Sequence, residues 1–230
     1  MISTLILHLS SPMQSWGNSS RFEHRGAGPA PSKSSICGMI CAAMGAARQS
    51  LLEQEIIEAF HRIRMTSVCR KQGIILRDYH TVQGTRKANG SIDNKAAVQS
   101  YRHYWHDSRF IVLLNSEDEP LLRRIRQALL DPQWGIWLGR KCCIPAEPII
   151  QEDIMPEADA LEHALLPIPE NQRELFIEVA DFATGTDTWQ DEPLGFGSPA
   201  HSGRSGRTYG PRRINHIAAL GVASEDYFQF

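Results

Sequence analysis

From Arg77 to Leu114 the chain reads RDYHTVQGTRKANGSIDNKAAVQSYRHYWHDSRFIVLL, and this stretch limits the fold more than any other. Two arms crowded with aromatic and basic side chains, DYHTV and SYRHYW, flank a soft tip from Gly84 to Lys95 that holds Gly, Asn, Lys and Ser. Paired as strands, the arms make a ribbon on which Tyr and His rings can stack on bases while Arg meets phosphate. An ordinary amphipathic hairpin with its Tyr and Trp facing a core fits the same pattern. The hairpin alone does not separate the two.

The rest of the chain alternates between strand and helix patterns. Ile2 to Leu9 places Leu5, Leu7 and Leu9 on one face and Thr4, Ile6 and His8 on the other, which predicts a first strand. Ser10 to Pro31 has no period and reads as a long loop. Ser32-Lys33-Ser34-Ser35 then opens a helix, predicted over Ser35 to Arg48, whose Gly- and Ala-rich ICGMICAAMGAA can lie close to a sheet. Free N–H groups, hydroxyls and Lys33 make that helix start a ready anion site. A second helix is expected over Leu51 to Arg62 and a strand over Ile63 to Arg70. Past the hairpin, Phe110 to Leu114 reads as a strand, Pro120 to Leu130 as an amphipathic helix and Gln133 to Leu138 as a further strand. Strand, helix, strand, strand, helix, strand is the ferredoxin-like order. Beyond Pro148 the pattern weakens, leaving Leu175 to Asp181 and Arg207 to Leu220 as strands of a small final β element.

Charge points to a polyanion. Residues 1–150 carry 19 Lys/Arg against 12 Asp/Glu, residues 151–200 one Arg against 12 acids, and residues 201–230 four Arg against two acids. A basic body with an acidic segment turned elsewhere suits nucleic acid. The five cysteines (37, 41, 69, 142, 143) contain no CxxC pair, which reads as a reducing cytoplasm. No apolar run approaches the ~20 residues of a membrane helix, and no basic stretch precedes the first apolar run, so neither a membrane span nor a signal peptide is expected. Walker, HExxH and GxSxG motifs are absent, and Gly195-Phe196-Gly197 lacks the strand-turn-helix setting of a dinucleotide site, so no cofactor is expected. His80, His103 and His106 lack acids or cysteines at ligand spacing, so no metal is expected either. The aromatic signature of RRM domains is absent too, so RNA would have to be held by the ribbon and the loop before the first helix.

Five segments, LILHLSSPMQSWG, PSKSSICGMICAAMGAAR, RDYHTVQGTR, QSYRHYWHDSRFIVLL and WLGRKCCIP, agree in order and spacing with one family. They resemble the CasD family of the RAMP superfamily, subunits of the type I-E CRISPR surveillance complex Cascade. The resemblance covers roughly residues 1–150; the tail keeps mainly Asp191-Glu192-Pro193 followed by Arg207, Tyr209 and Arg212. It implies an α+β protein: a ferredoxin-like RAMP domain over 1–150 with a protruding β-hairpin thumb at about 73–107, and an acidic segment with a small C-terminal β element over 151–230. It also implies a non-catalytic subunit in antiviral defence that binds the 5′ handle of CRISPR RNA. Its partners would be the backbone subunit (CasC), the large subunit (CasA) and, through the complex, target DNA. Carried over by position, the RNA-binding set is Met13, Gln14, Ser15 and Trp16 in the first loop, and Ser32, Lys33 and Ser34 at the helix start. Tyr79, His80, Thr81, Val82 and Arg86 follow on one thumb arm and its tip, with Arg102 on the other arm; Tyr101 beside it would pack inward. The alternative is a metal-independent endoribonuclease processing precursor CRISPR RNA, with His80, Tyr79 and Lys33 or Arg86 as base, acid and cation.

Overall fold

The alternating leucines of the first strand decide the layering. In β1 (Ser3–Ser10) Leu5, Leu7 and Leu9 enter the main core, while Ile6 enters a second, smaller core on the opposite face. Both faces of this sheet are therefore covered, and each fully buried leucine is worth roughly 1.5–3 kcal/mol. The structure, a computed structural model, describes residues 1–17, 20–21, 23–86, 90–93, 97–181, 183–197 and 206–218. Parts of the expected hairpin tip (87–89 and 94–96), of the first loop (18, 19 and 22) and of the Gly-rich segment (198–205) lie outside the described residues.

β1 pairs antiparallel with β10 (Arg109–Ser116) and, at its start, with β11 (Met155–Pro156). β10 continues to β5 (Arg64–Lys71), β5 to β12 (Glu174–Glu178), then β14 (Arg207–Ile217) and finally β13 (Asp187–Phe196) at the edge. The result is one seven-stranded mixed-length sheet, antiparallel throughout, in a mixed α/β fold. Against its first face pack α1 (Lys33–Ala43), α2 (Leu51–Phe60) and α3 (Glu119–Leu130), through residues such as Ile36, Phe60 and Leu122. α4 (Glu157–Leu165) closes the other face with Ala160 and Ala164 against Ile6 and Val68. α2 is capped locally: Ser50 Oγ accepts the Glu53 N–H at 3.1 Å, and the Glu53 carboxylate accepts the N–H of Gln49, just before the cap, at 2.9 Å.

The hairpin forms a second sheet. β6 (Ile74–Val82) and β9 (Val98–His106) pair over nine residues, with Tyr79 opposite Tyr101. β2 (Met13–Gln14) joins the base of β9, and β4 (His24–Arg25), itself paired with β3 (Ser20–Arg21), runs parallel to its middle. At the tip, β7 (Thr85–Arg86) pairs with β8 (Ile92–Asp93).

Several expectations need correction. Gln133 to Leu138 is not a strand: its Gln133 and Trp134 N–H groups go to the Ala43 and Ala42 carbonyls at the end of α1, and the Leu138 carbonyl accepts from Ser15 N–H. One-off partners satisfy this backbone where a ladder would otherwise be needed. α4 and β13 were not anticipated. β13 reads poorly as a strand because of Asp191, Glu192 and Pro193; as the sheet edge it accommodates the proline.

A candidate nucleic-acid interface

A groove of about 650 Å³ opens between α1 and the Trp134–Lys141 loop. Its floor is the small-residue side of α1, where Ser34, Ser35, Gly38 and Ala42 leave room above the helix. Phe196 and Tyr209 from β13 and β14 form the far wall. Five cations line it, namely Arg25, Arg48, Arg140, Lys141 and Arg207, against one acid, Glu53, among the described lining residues. Glu53 is already engaged at the start of α2. Such a one-signed groove concentrates polyanions. Trp134, 48% exposed, offers a ring at the rim.

The loop wall is held tightly. Leu138 N–H donates to the Cys143 carbonyl and Cys143 N–H to the Arg140 carbonyl, both at 2.8 Å. Gly139 has φ +99°, and a Cβ there would stand 1.9 Å from the Ser15 carbonyl oxygen, so the close approach to the first loop demands glycine. Arg140 lies over the Tyr104 ring, 4.6 Å from its centre, and donates to the carbonyls of His103 at 3.3 Å and Arg25 at 3.1 Å. Burial pushes the thiols of Cys69 and Cys143 up to about 12 and about 11, which disfavours the thiolate a nucleophile needs.

The hairpin carries a ring ladder on one face. Tyr101 stacks on His24 at 5.4 Å and 18°, meets Tyr79 at 5.5 Å, and has the Arg77 guanidinium 5.2 Å from its ring centre. The alternate face presents Asp78, His80 and Arg102; His80 Nε2 pairs with the Asp78 carboxylate at 2.6 Å, and Arg102 Nε donates to Ser100 Oγ at 3.4 Å. Tyr79, Val82 and Arg86 are exposed, as is Thr81.

Beneath α1 lies a buried charge cluster. Lys33, 1% exposed, sends its ammonium to Glu178 at 2.8 Å and Glu192 at 2.9 Å. Its backbone N–H donates to Asp191 at 2.8 Å, and Asp191 in turn takes two bonds from Arg212, at 2.9 and 2.7 Å. The expected phosphate role of Lys33 is therefore corrected: the protein's own acids occupy the anion site at this helix start. Ser32 is buried and its hydroxyl bonds Ser35 Oγ at 2.6 Å.

The first-loop residues are mostly scaffold. Gln14 Nε2 donates to the Leu9 and Ser108 carbonyls, its Oε1 accepts Trp16 Nε1 at 2.9 Å, and Ser15 Oγ donates to the His103 carbonyl at 3.2 Å. All three residues are buried, which leaves Gln14 and Trp16 without a face for the RNA contact expected of them; only Met13 is partly exposed. Of the expected set, Ser15 and Ser34 line the groove, while Tyr79, His80, Thr81, Val82, Arg86 and Arg102 stay together on the hairpin. Sequence reasoning missed His24, Arg77, Trp134, Arg140 and Lys141. Of these, Arg140 and Lys141 sit inside the WLGRKCCIP segment already singled out. Among the described residues no group of three His, Cys, Asp or Glu stands close enough to hold a metal ion.

The model of a family described as CRISPR-associated protein (Cas_Cas5) matches residues 4–213. The chain is 30% identical over 165 residues to the CRISPR system Cascade subunit CasD of Escherichia coli (strain K12), a match that covers 65% of this chain and 70% of that protein. Among solved structures it is similar to a chain of a CRISPR RNA-guided surveillance complex, with TM-score 0.75, 25% identity and coverage of 97% and 95%. It is also similar to a crystal structure of a Cas protein, with TM-score 0.67, 28% identity and coverage of 94% of each chain.

Proposed function

This chain belongs to the Cas5 family of CRISPR-associated proteins, and from that premise we propose that it binds the 5′ handle of CRISPR RNA within a type I-E Cascade complex. In this reading it is a non-catalytic subunit that caps the guide end and touches the backbone and large subunits. The observation that carries it is the groove with five cations against one acid, next to a hairpin whose rings stand in a stack. Phosphates would run along Arg25, Arg140 and Lys141, and splayed bases would stack near Trp134 and Tyr79. Met13, Ser15, Ser34, Arg86 and Arg102 complete the contact set.

We read β1, β5 and β10, with α1 and α3, as the ferredoxin-like unit of a body over 1–150, to which the short β11 of the following segment adds a fourth strand beside β1. β6 and β9 are its thumb, and 151–230 is an extension whose strands join the same sheet, β11 at β1 and β12 at β5. Nuclease chemistry finds less support. Tyr79 and His80 are neighbours on β6, so their side chains leave opposite faces, and the Lys33 ammonium is held between two glutamates.

The test is to purify the chain with its neighbouring subunits and sequence the bound RNA. Short RNAs sharing one repeat-derived 5′ end are expected. Bound RNAs with scattered ends, or no RNA at all, would overturn the reading.

A further inference from the structure

We propose that the free edge of β6 binds the same edge of a second copy of this chain, the two strands pairing antiparallel about Tyr79 in a twofold dimer of the free subunit. β9 has both edges occupied, by β6 on one side and by β2 and β4 on the other, whereas β6 pairs with no second strand among the described residues. Its outward N–H and C=O groups, along nine residues, are a template for another strand. The edges of the seven-stranded sheet are guarded by contrast: β11 is two residues long, and β13 carries Pro193 and two register shifts. β6 reads IILRDYHTV, with neither proline nor lysine. It pairs with β9 without a shift and leaves Ile74, Leu76 and Val82 exposed.

The side chains of β6 name the occupant. Two identical edges related by a twofold axis run antiparallel, and residues directly opposite each other point to the same face. With Tyr79 on the axis, Asp78 faces His80 of the other copy and His80 faces its Asp78, while Leu76 and Val82 face each other twice. Within one chain Asp78 and His80 already share a face and a hydrogen bond at 2.6 Å. The dimer therefore sets four groups in a square, carboxylate and imidazole alternating, and each carboxylate has two oxygens with which to accept from both imidazoles. Moving the axis to Asp78 would set carboxylate against carboxylate. Moving it to His80 would set imidazole against imidazole and Val82 against Asp78. Of these registers, the one about Tyr79 joins acid to imidazole and apolar to apolar. The pairing uses the edge of the hairpin and stands whether or not its faces carry RNA.

The experiment is sedimentation equilibrium of the full chain, freed of nucleic acid, over a range of concentrations. A reversible dimer is expected. One strand edge buries little area, so the dimer is weak and follows mass action. His80→Asp sets carboxylate against carboxylate at two symmetric places and should raise the dissociation constant about tenfold. Asp78→His combined with His80→Asp exchanges the two groups and should restore the wild-type value. Hydrogen exchange on the wild-type chain decides the matter even if a variant folds poorly: the amides of 74–82 should gain protection as concentration rises, while those of β13, the other long edge, stay unchanged. The proposal fails if the wild-type chain is monomeric at every concentration, if His80→Asp dimerises as wild type does, or if the double variant stays as weak as the single one. It also fails if the amides of β6 exchange alike at all concentrations.

Discussion

Asp191 accepts the backbone N–H of Lys33 at 2.8 Å, so a residue on the edge strand caps the first helix from 158 positions further along the chain. Ser32, the local cap by sequence, makes no such bond. The same carboxylate holds Arg212, and both side chains are 2% exposed. The acidic stretch thus supplies the helix with its anion.

Asp191→Ala is expected to be among the most destabilising single changes in the chain. It leaves a buried guanidinium without its main partner and uncaps α1, at a cost of about 3–5 kcal/mol. Urea unfolding of the variant against wild type measures it. Arg123→Ala, which breaks the exposed i,i+4 pair with Glu119, should leave the curve unmoved.

Lys33→Ala should harm folding and spare RNA contact. With the ammonium gone, Glu178 and Glu192 face each other in a buried site, and a loss of about 3–5 kcal/mol follows. The dependence of log affinity on log salt for a short RNA should keep its slope. A slope smaller by about one unit would mean that Lys33 meets a phosphate after all.

Burial lifts the Glu192 carboxyl above the usual carboxylate range, against the opposing pull of Lys33. The folded state therefore holds its proton to higher pH than the unfolded state does. Glu192 supports folding fully below its unfolded pKa and loses that contribution as pH rises through the raised folded value. Glu192→Gln cannot lose a proton, so its stability relative to wild type should improve as pH rises from the carboxylate range towards neutrality. Unfolding free energies measured at several pH values decide this; a constant difference between the two proteins would refute it.

Tyr101 and Arg102 should separate cleanly. Tyr101 joins the hairpin to the body through His24 and meets Tyr79, each ring contact worth about 0.5–1.5 kcal/mol, so Tyr101→Ala should lower the melting temperature. Arg102 is on the other face, and Arg102→Ala should reduce RNA affinity by about 1–3 kcal/mol at unchanged melting temperature. The reverse pattern in melts and binding assays would remove Arg102 from the contact set and leave the RNA on the Tyr79 and Tyr101 face alone.

Purified chain incubated with repeat RNA should leave it intact, with or without chelator. Site-specific cleavage lost in His80→Ala would establish the nuclease alternative.

Much of this molecule is written in local periodicity. The Leu5, Leu7, Leu9 alternation, the apolar stripe of α3 and the long paired arms of the hairpin are legible because each depends on neighbours two to four residues away. The five segments that identify the family lie mostly on these elements. Other features depend on residues far apart in the chain, and no window of sequence contains them. Lys33 reads as a phosphate ligand until Glu178 and Glu192 are brought to it, and Trp16 reads as an RNA-contacting loop residue until the fold buries it. Gln133 to Leu138 reads as a strand until the end of α1 takes the Gln133 and Trp134 N–H groups and the segment becomes a groove wall. Local patterning marked β1, β5, β10 and the helices α1 to α3. Only the tertiary structure decided which charges are neutralised inside and which remain free to meet a ligand, because desolvation and long-range pairing are properties of the packed chain.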